Sequence, residues 1–257
     1  MSSRPGTTSY GHVCLAYDSR AELETRAGDF LAAGEAAGER VHYLAVTAPA
    51  RPLPFLPLGG TYRVGAVVDP VEQVAAYTAA TEEALAAGYT GLRVVADATP
   101  LVGTAEQLDA FARYEYRIDR YMRDHPFSAM CAYDRRQVGD AAVAQLACLH
   151  AESTAAVPFR LHACPPGDGA AALDGELDLS ADELLTATLP RADLTAGDDE
   201  VVLQAGGLTF ADHRSLLRLH EYAAAHGVTI VLRGASPATG RLAELLDLPR
   251  LRVEAAG

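Results

Sequence analysis

Two short stretches place metal-binding and polar aromatic groups two residues apart. GHVCLAY (11–17) carries His12 and Cys14, and FSAMCAY (127–133) carries Cys131 and Tyr133. Residues two apart on an extended strand face the same side, so each pair presents its groups together. Imidazole and thiol are ligands for a soft metal. They equally line a ligand cavity, or the cysteines fill core space as small apolar groups. Tyr17, Asp18, Asp97, Tyr133 and Asp134 all fall at or beside the ends of apolar, strand-like segments. Parallel strands that bring such ends together make a pocket at the carboxyl edge of the sheet. Glu115, between Tyr114 and Tyr116, either pairs with Arg93 or lies on a solvated helix face. Arg93, just after Gly91, is also placed to bind an anionic group. A second His-x-Cys pair, His162 and Cys164, runs into Pro165-Pro166 and reads as coincidence.

Phosphate chemistry is poorly provided for. The first strand runs into AYDSRAELETR (16–26), which has no glycine to wrap backbone amides around phosphates. The chain contains no lysine at all, so the phosphate-binding lysine of a Walker A loop and Schiff-base chemistry are both excluded. Asp18, Glu22 and Glu24 would oppose a triphosphate directly. Asp97 ends a buried strand as a Walker B acid would, but without the loop Mg-ATP has no cradle. ATP hydrolysis is not expected, and no catalytic residue is assigned.

The elements that must position these groups follow from the pattern. Strands are expected at 11–17, 41–46, 61–68, 92–98 and 127–133. Helices are expected over about 19–37, 70–87, 104–124 and 136–150, with Pro70 in a first turn and Gly88 at an end. The Pro-rich run 48–60 is read as a loop. Strand–helix alternation with such apolar strands predicts an α/β fold, a mostly parallel sheet with helices on both faces. A break is expected at 151–157. Beyond it, shorter units (FRLHAC, AAALDGELDLS, VVLQA, VTIVLRG and LRVEA, with helices from 181, 212 and 237) predict a small mixed-sheet α/β domain. There is no internal repeat.

GHVCLAYDS (11–19), EEALAAGYTGLRVVAD (82–97), ARYEYRID (112–119), MCAYD (130–134) and HAEST (150–154) together resemble the MEDS domain, a sensory module of prokaryotic regulators such as the dichloromethane repressor. The resemblance spans 8–154. It implies a RecA/KaiC-like core, a domain ending in a histidine, and sensing of small hydrocarbon derivatives. His12, Cys14, Tyr17, Asp18, Arg93, Asp97, Glu115, Cys131 and Tyr133 are then the ligand-binding candidates. A metal or haem sensor using His12 and the cysteines is the alternative; no cofactor is named.

The segment 158–257 resembles the STAS family of anti-sigma-factor antagonists. LDGELDLSADELL (173–185), VVLQAGGLTFADHRSLLRL (201–219) and HGVTIVLRGASPATGRLAELLDL (226–248) match in order. Phosphoswitch members carry Asp-Ser at the switch loop. Here Asp212 matches the Asp and His213 stands at the serine position, followed by Arg214 and Ser215; Gln204 replaces a usual Asp. The resemblance implies docking through 212–215 onto an anti-sigma factor or GHKL-type kinase-like protein, with the phosphoswitch lost. Asp212 is also simply a helix cap, and Ser215 an alternative phosphosite. Scaffolding of a larger complex or a homodimer is the other reading of this domain.

Composition narrows the class. A net charge of −13 repels phosphate backbones, so nucleic acid is not an expected partner. No apolar run approaches the roughly 18 residues of a membrane span. The opening MSSRPGTTSY lacks the pattern of a secretory signal. The four cysteines form no CxxC pair and read as thiols. The expectation is a cytoplasmic, non-enzymatic signalling protein that binds a small molecule. The runner-up is a degenerate RecA-like nucleotide-binding or ATPase protein.

Overall fold

A computed structural model describes residues 11–165, 167–194 and 199–255. The expected opening of the first domain at 8–10, the MSSRPGTTSY segment, Pro166 of the second His-x-Cys turn and the last two residues of the second domain lie outside the described residues. The first sheet has six strands: β1 (His12–Tyr17), β2 (Arg40–Ala45), β3 (Phe55–Pro57), β4 (Leu92–Asp97), β5 (Phe127–Asp134) and β6 (Glu152–Ser153). Their order is β3-β2-β4-β5-β1-β6, and all pairs are parallel. All eight residues of β5 are buried, as a central strand covered on both faces requires.

Helix α1 (Arg20–Ala36) covers one face. Its Leu23, Ala27 and Leu31 pack on Leu15, Tyr17, Tyr43, Val95 and Met130. The other face is covered by α2 (Pro70–Ala86), α3 (Ala105–Asp124), the short α4 (Arg135–Val138) and α5 (Asp140–Ala147). Helices α1, α2 and α3 carry side-chain N-caps. Ser19 accepts from the Glu22 amide, Asp69 caps α2 ahead of Pro70, and Thr104 with Gln107 forms a reciprocal capping box.

Four local expectations are corrected. Residues 61–68 are not a strand. Gly65 takes φ 86°, and the amides of Val64 and Ala66 bond back to Tyr62 and Arg63, so turn-local bonds replace a ladder. The Pro-rich run is not all loop: β3 pairs with β2 at the sheet edge, where a proline lacking a donor is tolerated. Buried Glu24 holds the start of that run by accepting the Ala50 and Arg51 amides. The helix expected over 136–150 is broken at Gly139, which adopts φ 79° and ψ 154°. The break at 151–157 contains β6, added parallel to β1.

The second sheet is mixed. It comprises β7 (Phe159–His162), β8 (Ala171–Leu177), β9 (Glu200–Gln204), β10 (Leu208–Ala211), β11 (Thr229–Ala235) and β12 (Leu251–Ala255). Their order is β10-β8-β9-β11-β12, with β7 antiparallel to β8 and the other pairs parallel. Helices α6 (Asp182–Thr188), α7 (His213–His226) and α8 (Pro237–Leu246) pack with it.

The two sheets share one hydrophobic core, which runs from Cys14 and Phe111 through Cys148 to Phe159, Leu173 and Leu203. Polar contacts tie them too. The Leu161 amide donates to the Cys148 carbonyl at 2.7 Å, and the Tyr116 hydroxyl donates to the Ala170 carbonyl at 3.0 Å. Arg191 reaches back to Asp109 and Gln145. Helix α3 therefore lies between the two sheets and touches both. No described helix is long and apolar enough to cross a membrane.

Candidate functional site

Strands β1 and β5 are neighbours, with Cys14 opposite Cys131 and His12 opposite Ala129. The period-two rule puts His12, Cys14, Cys131 and Tyr133 on one face, the face that α3 crosses. Glu115 and Asp119 are one turn apart on α3, so both carboxylates meet that face. His150 follows α5 and comes in from the side. Its Nδ1 lies 2.9 Å from the Leu146 carbonyl, which fixes the proton there and leaves Nε2 with a lone pair.

These groups converge in a cluster closed to solvent. His12 is 2% exposed, Cys131 3%, and Glu115, Asp119, Tyr133 and His150 are at 0%. His12 Nε2 lies 3.0 Å from Glu115 Oε2, and His12 Nδ1 lies 3.2 Å from Asp119 Oδ1. The second approach is an ion-pair distance at which the N–H is not aligned on the oxygen. The Cys131 thiol donates to Glu115 Oε2 at 3.4 Å and stands 3.7 Å from His12 Nε2. The Tyr133 hydroxyl donates to Glu115 Oε1. His150 Nε2 is 3.7 Å from Glu115 Oε2 and has no hydrogen-bond partner; its ring stacks 3.9 Å from that of His12.

Electrostatics assigns the protons. Burial alone would lower His12, but the close carboxylates of Asp119 and Glu115 outweigh it and raise the imidazole to about 9. Burial would raise Glu115 and Asp119, but contacts to His12 hold both below the usual carboxylate range. His150 falls to about 4, first from burial and then from the charge on His12. Burial pushes the Cys131 thiol and the Tyr133 phenol well up. In the absence of a bound cation, an imidazolium therefore sits between two carboxylates, beside a neutral imidazole and a neutral thiol.

The predicted site residues divide into separate groups. His12, Glu115, Cys131 and Tyr133 come together, with Cys14 buried alongside. They lie inside the domain and not at an open pocket on the carboxyl edge, because α3 seals that face of the sheet. Tyr17 faces the opposite side, where its hydroxyl donates to Asp97 Oδ1 at 3.1 Å. Exposed Asp18 stands 3.8 Å from Arg135. Arg93, near the other end of its strand, is held by Glu39 and lies over the Phe30 ring. The expected Glu115–Arg93 pair does not form, and Glu115 is not on a solvated face: it faces the sheet, where His12 supplies its counter-charge.

Two members of the cluster were not singled out from the sequence as site residues. Asp119 was legible as an acid four residues after Glu115 on an otherwise apolar helix face. His150 was legible as an isolated imidazole closing a helix. Asp119 also joins the two sheets, since its Oδ2 accepts the Ala163 amide at 2.7 Å just past β7, while Arg123 pairs with it at the surface side.

At the other candidate surface, Asp212 caps α7 by accepting the Ser215 amide at 2.8 Å. His213 and Arg214 are exposed in the first turn. Ser215 is fully buried and donates to the Leu177 carbonyl, so its hydroxyl is closed to both a kinase and a partner.

The whole cluster falls in a segment that a family model covers. A family model described as "MEDS: MEthanogen/methylotroph, DcmR Sensory domain" matches residues 11–151, more than half of the chain. No curated protein matches it.

Proposed function

The chain belongs to the MEDS family, and from that premise we propose that it is a non-enzymatic cytoplasmic signalling regulator. Its first sheet, read as a RecA/KaiC-like core without phosphate chemistry, senses a small hydrocarbon derivative. Its second sheet, read as a STAS-like domain, docks onto an anti-sigma factor or GHKL-type kinase-like protein. The reading rests on the family match over 11–151. The resemblance of 158–257 to STAS domains supports the docking half, as do the exposed His213 and Arg214 at the start of α7.

Asp119 supplies a route between the halves. One of its oxygens faces His12 and the other holds the Ala163 backbone, so a change in the buried cluster shifts α3 against β7. Coupling of this kind is worth typically about 1–3 kcal/mol, or roughly 5–150-fold in affinity, and is reciprocal.

The test is direct binding of the purified chain to a purified GHKL-type anti-sigma factor by calorimetry, with and without methanol or a halomethane. The expected result is a change in affinity within that range, abolished by Asp119→Asn. An unchanged affinity with a ligand demonstrably bound removes the coupling. Absence of partner binding removes the docking half, and background-level nucleotide hydrolysis is expected throughout.

A further inference from the structure

The buried cluster contains more donors than a charge pair needs. His12 stands between the carboxylates of Glu115 and Asp119, at 3.0 and 3.2 Å. Cys131 adds a weak thiol donor to Glu115 Oε2 at 3.4 Å, and the unpartnered His150 Nε2 stands 3.7 Å from the same oxygen. One donor atom from each of His12, Glu115, Cys131 and His150 lies within 4.8 Å of all the others.

We propose that His12, Glu115, Cys131 and His150 form a tetrahedral site for a divalent transition metal of the zinc class. Bonds of about 2.0–2.3 Å in a tetrahedral site set ligand atoms about 3.3–3.8 Å apart. The pairs here stand at 3.0 Å (His12 Nε2 to Glu115 Oε2), 3.4 Å (Cys131 Sγ to Glu115 Oε2) and 3.7 Å (Cys131 Sγ to His12 Nε2, and His150 Nε2 to Glu115 Oε2). Of these four pairs only the shortest must open, by a few tenths of an ångström; the other two, from His150 to His12 and to Cys131, lie within 4.8 Å and close onto the metal.

The groups behind these donors are those a metal site uses. Metal-bound histidines almost always give their other ring nitrogen to a carboxylate or a carbonyl, which fixes the tautomer. His12 Nδ1 stands 3.2 Å from Asp119 Oδ1, one small rotation from bonding it, and His150 Nδ1 bonds the Leu146 carbonyl. The Tyr133 hydroxyl occupies Glu115 Oε1 and leaves Oε2 for the centre. Both free imidazole faces are thus aimed inward, and fully buried His150 Nε2 is otherwise unpartnered. Charge balances as well. A divalent cation against the Glu115 carboxylate and a Cys131 thiolate is neutral, and Asp119 keeps Arg123. Two imidazoles, one thiolate and one carboxylate in four-coordination suit zinc over magnesium or calcium. With all four positions filled by protein, the metal ties β1, β5, α3 and the end of α5 together.

The experiment needs no signalling partner and does not depend on the sensory reading. Zinc is measured by elemental analysis on the full chain as purified. It is measured again after unfolding with a chelator and refolding with zinc, because the closed site loads through opening. Refolding with cobalt(II) gives the optical readout. Expected are one metal per chain, visible bands of tetrahedral cobalt and a near-ultraviolet thiolate-to-cobalt band. Cys131→Ser abolishes the thiolate band, Cys14→Ser keeps it, and Asp119→Asn, behind His12, lowers affinity about 10–100-fold. The proposal is overturned if folded wild-type chain holds no zinc or cobalt after both routes. It is equally overturned if the thiolate band survives Cys131→Ser.

Discussion

Two buried tyrosines on the same sheet make opposite predictions. Tyr133 on β5 and Tyr43 on β2 are both at 0% exposure. The Tyr133 hydroxyl donates to the Glu115 carboxylate, whereas the Tyr43 hydroxyl has no hydrogen-bond partner among the described residues. Tyr133→Phe removes one oxygen, leaves no cavity larger than that atom, and strips a donor from an ionised, buried acceptor. Hydrogen bonds to charged groups contribute about 1.5–3 kcal/mol. At about 2–4 °C per kcal/mol for a chain of this size, the melting midpoint falls by roughly 3–12 °C. Tyr43→Phe removes a buried hydroxyl that satisfies nothing, so it costs nothing or stabilises by up to about 1 kcal/mol. Urea titrations followed by circular dichroism give both values under one set of conditions. Equal losses in the two variants, or a Tyr133→Phe loss below about 0.5 kcal/mol, would refute the claim that Glu115 is a carboxylate dependent on its donors.

Four further outcomes are expected. Hydrogen bonds from Arg136 bring Asp134 down to about 2 despite its burial, so its contribution of about 2 kcal/mol is complete above pH 4 and lost as pH falls toward 2. Asp134→Asn should flatten that part of the stability–pH curve measured by urea unfolding. Gly175 holds φ 98°, and a Cβ there would lie 2.4 Å from the Pro158 carbonyl oxygen. Gly175→Ala should therefore cost about 3 kcal/mol or more by calorimetric melting, combining backbone strain with a clash. Ser215→Ala should cost about 1 kcal/mol by loss of its bond to Leu177. Incubation of wild type with a GHKL-type kinase should leave Ser215 unphosphorylated by mass spectrometry.

The order of elements was legible because local rules set it. Pro70 opens its helix and Asp212 caps the one it precedes, as their types and positions announce, and β5 is buried on both faces as its apolar run implies. Segment 61–68 misled because its apolar residues do enter the core, at Tyr62 and Val68, but on a turning backbone bent at Gly65. Periodicity reports which side chains are buried and not which amide bonds to which carbonyl. The Pro-rich run misled in the reverse way, since an edge strand tolerates a composition that a central one would not.

Sequence alone determined that His12 shares a face with Cys14, and Cys131 with Tyr133, because of the two-residue repeat on a strand; the register that sets Cys14 opposite Cys131 then put both pairs on one face. It also ruled out a Walker A lysine, because the chain has no lysine. Only the tertiary structure decided that Glu115 leaves Arg93 for His12, that Asp119 and His150 join it, and that Ser215 is closed off. Those partners come from α3, from the end of α5 and from β8, far away in sequence, as in Cys131–Glu115 at 16 residues and His12–Glu115 at 103. Which face α3 turns toward the first sheet is set by packing between two sheets at once, and no local signal carries that information.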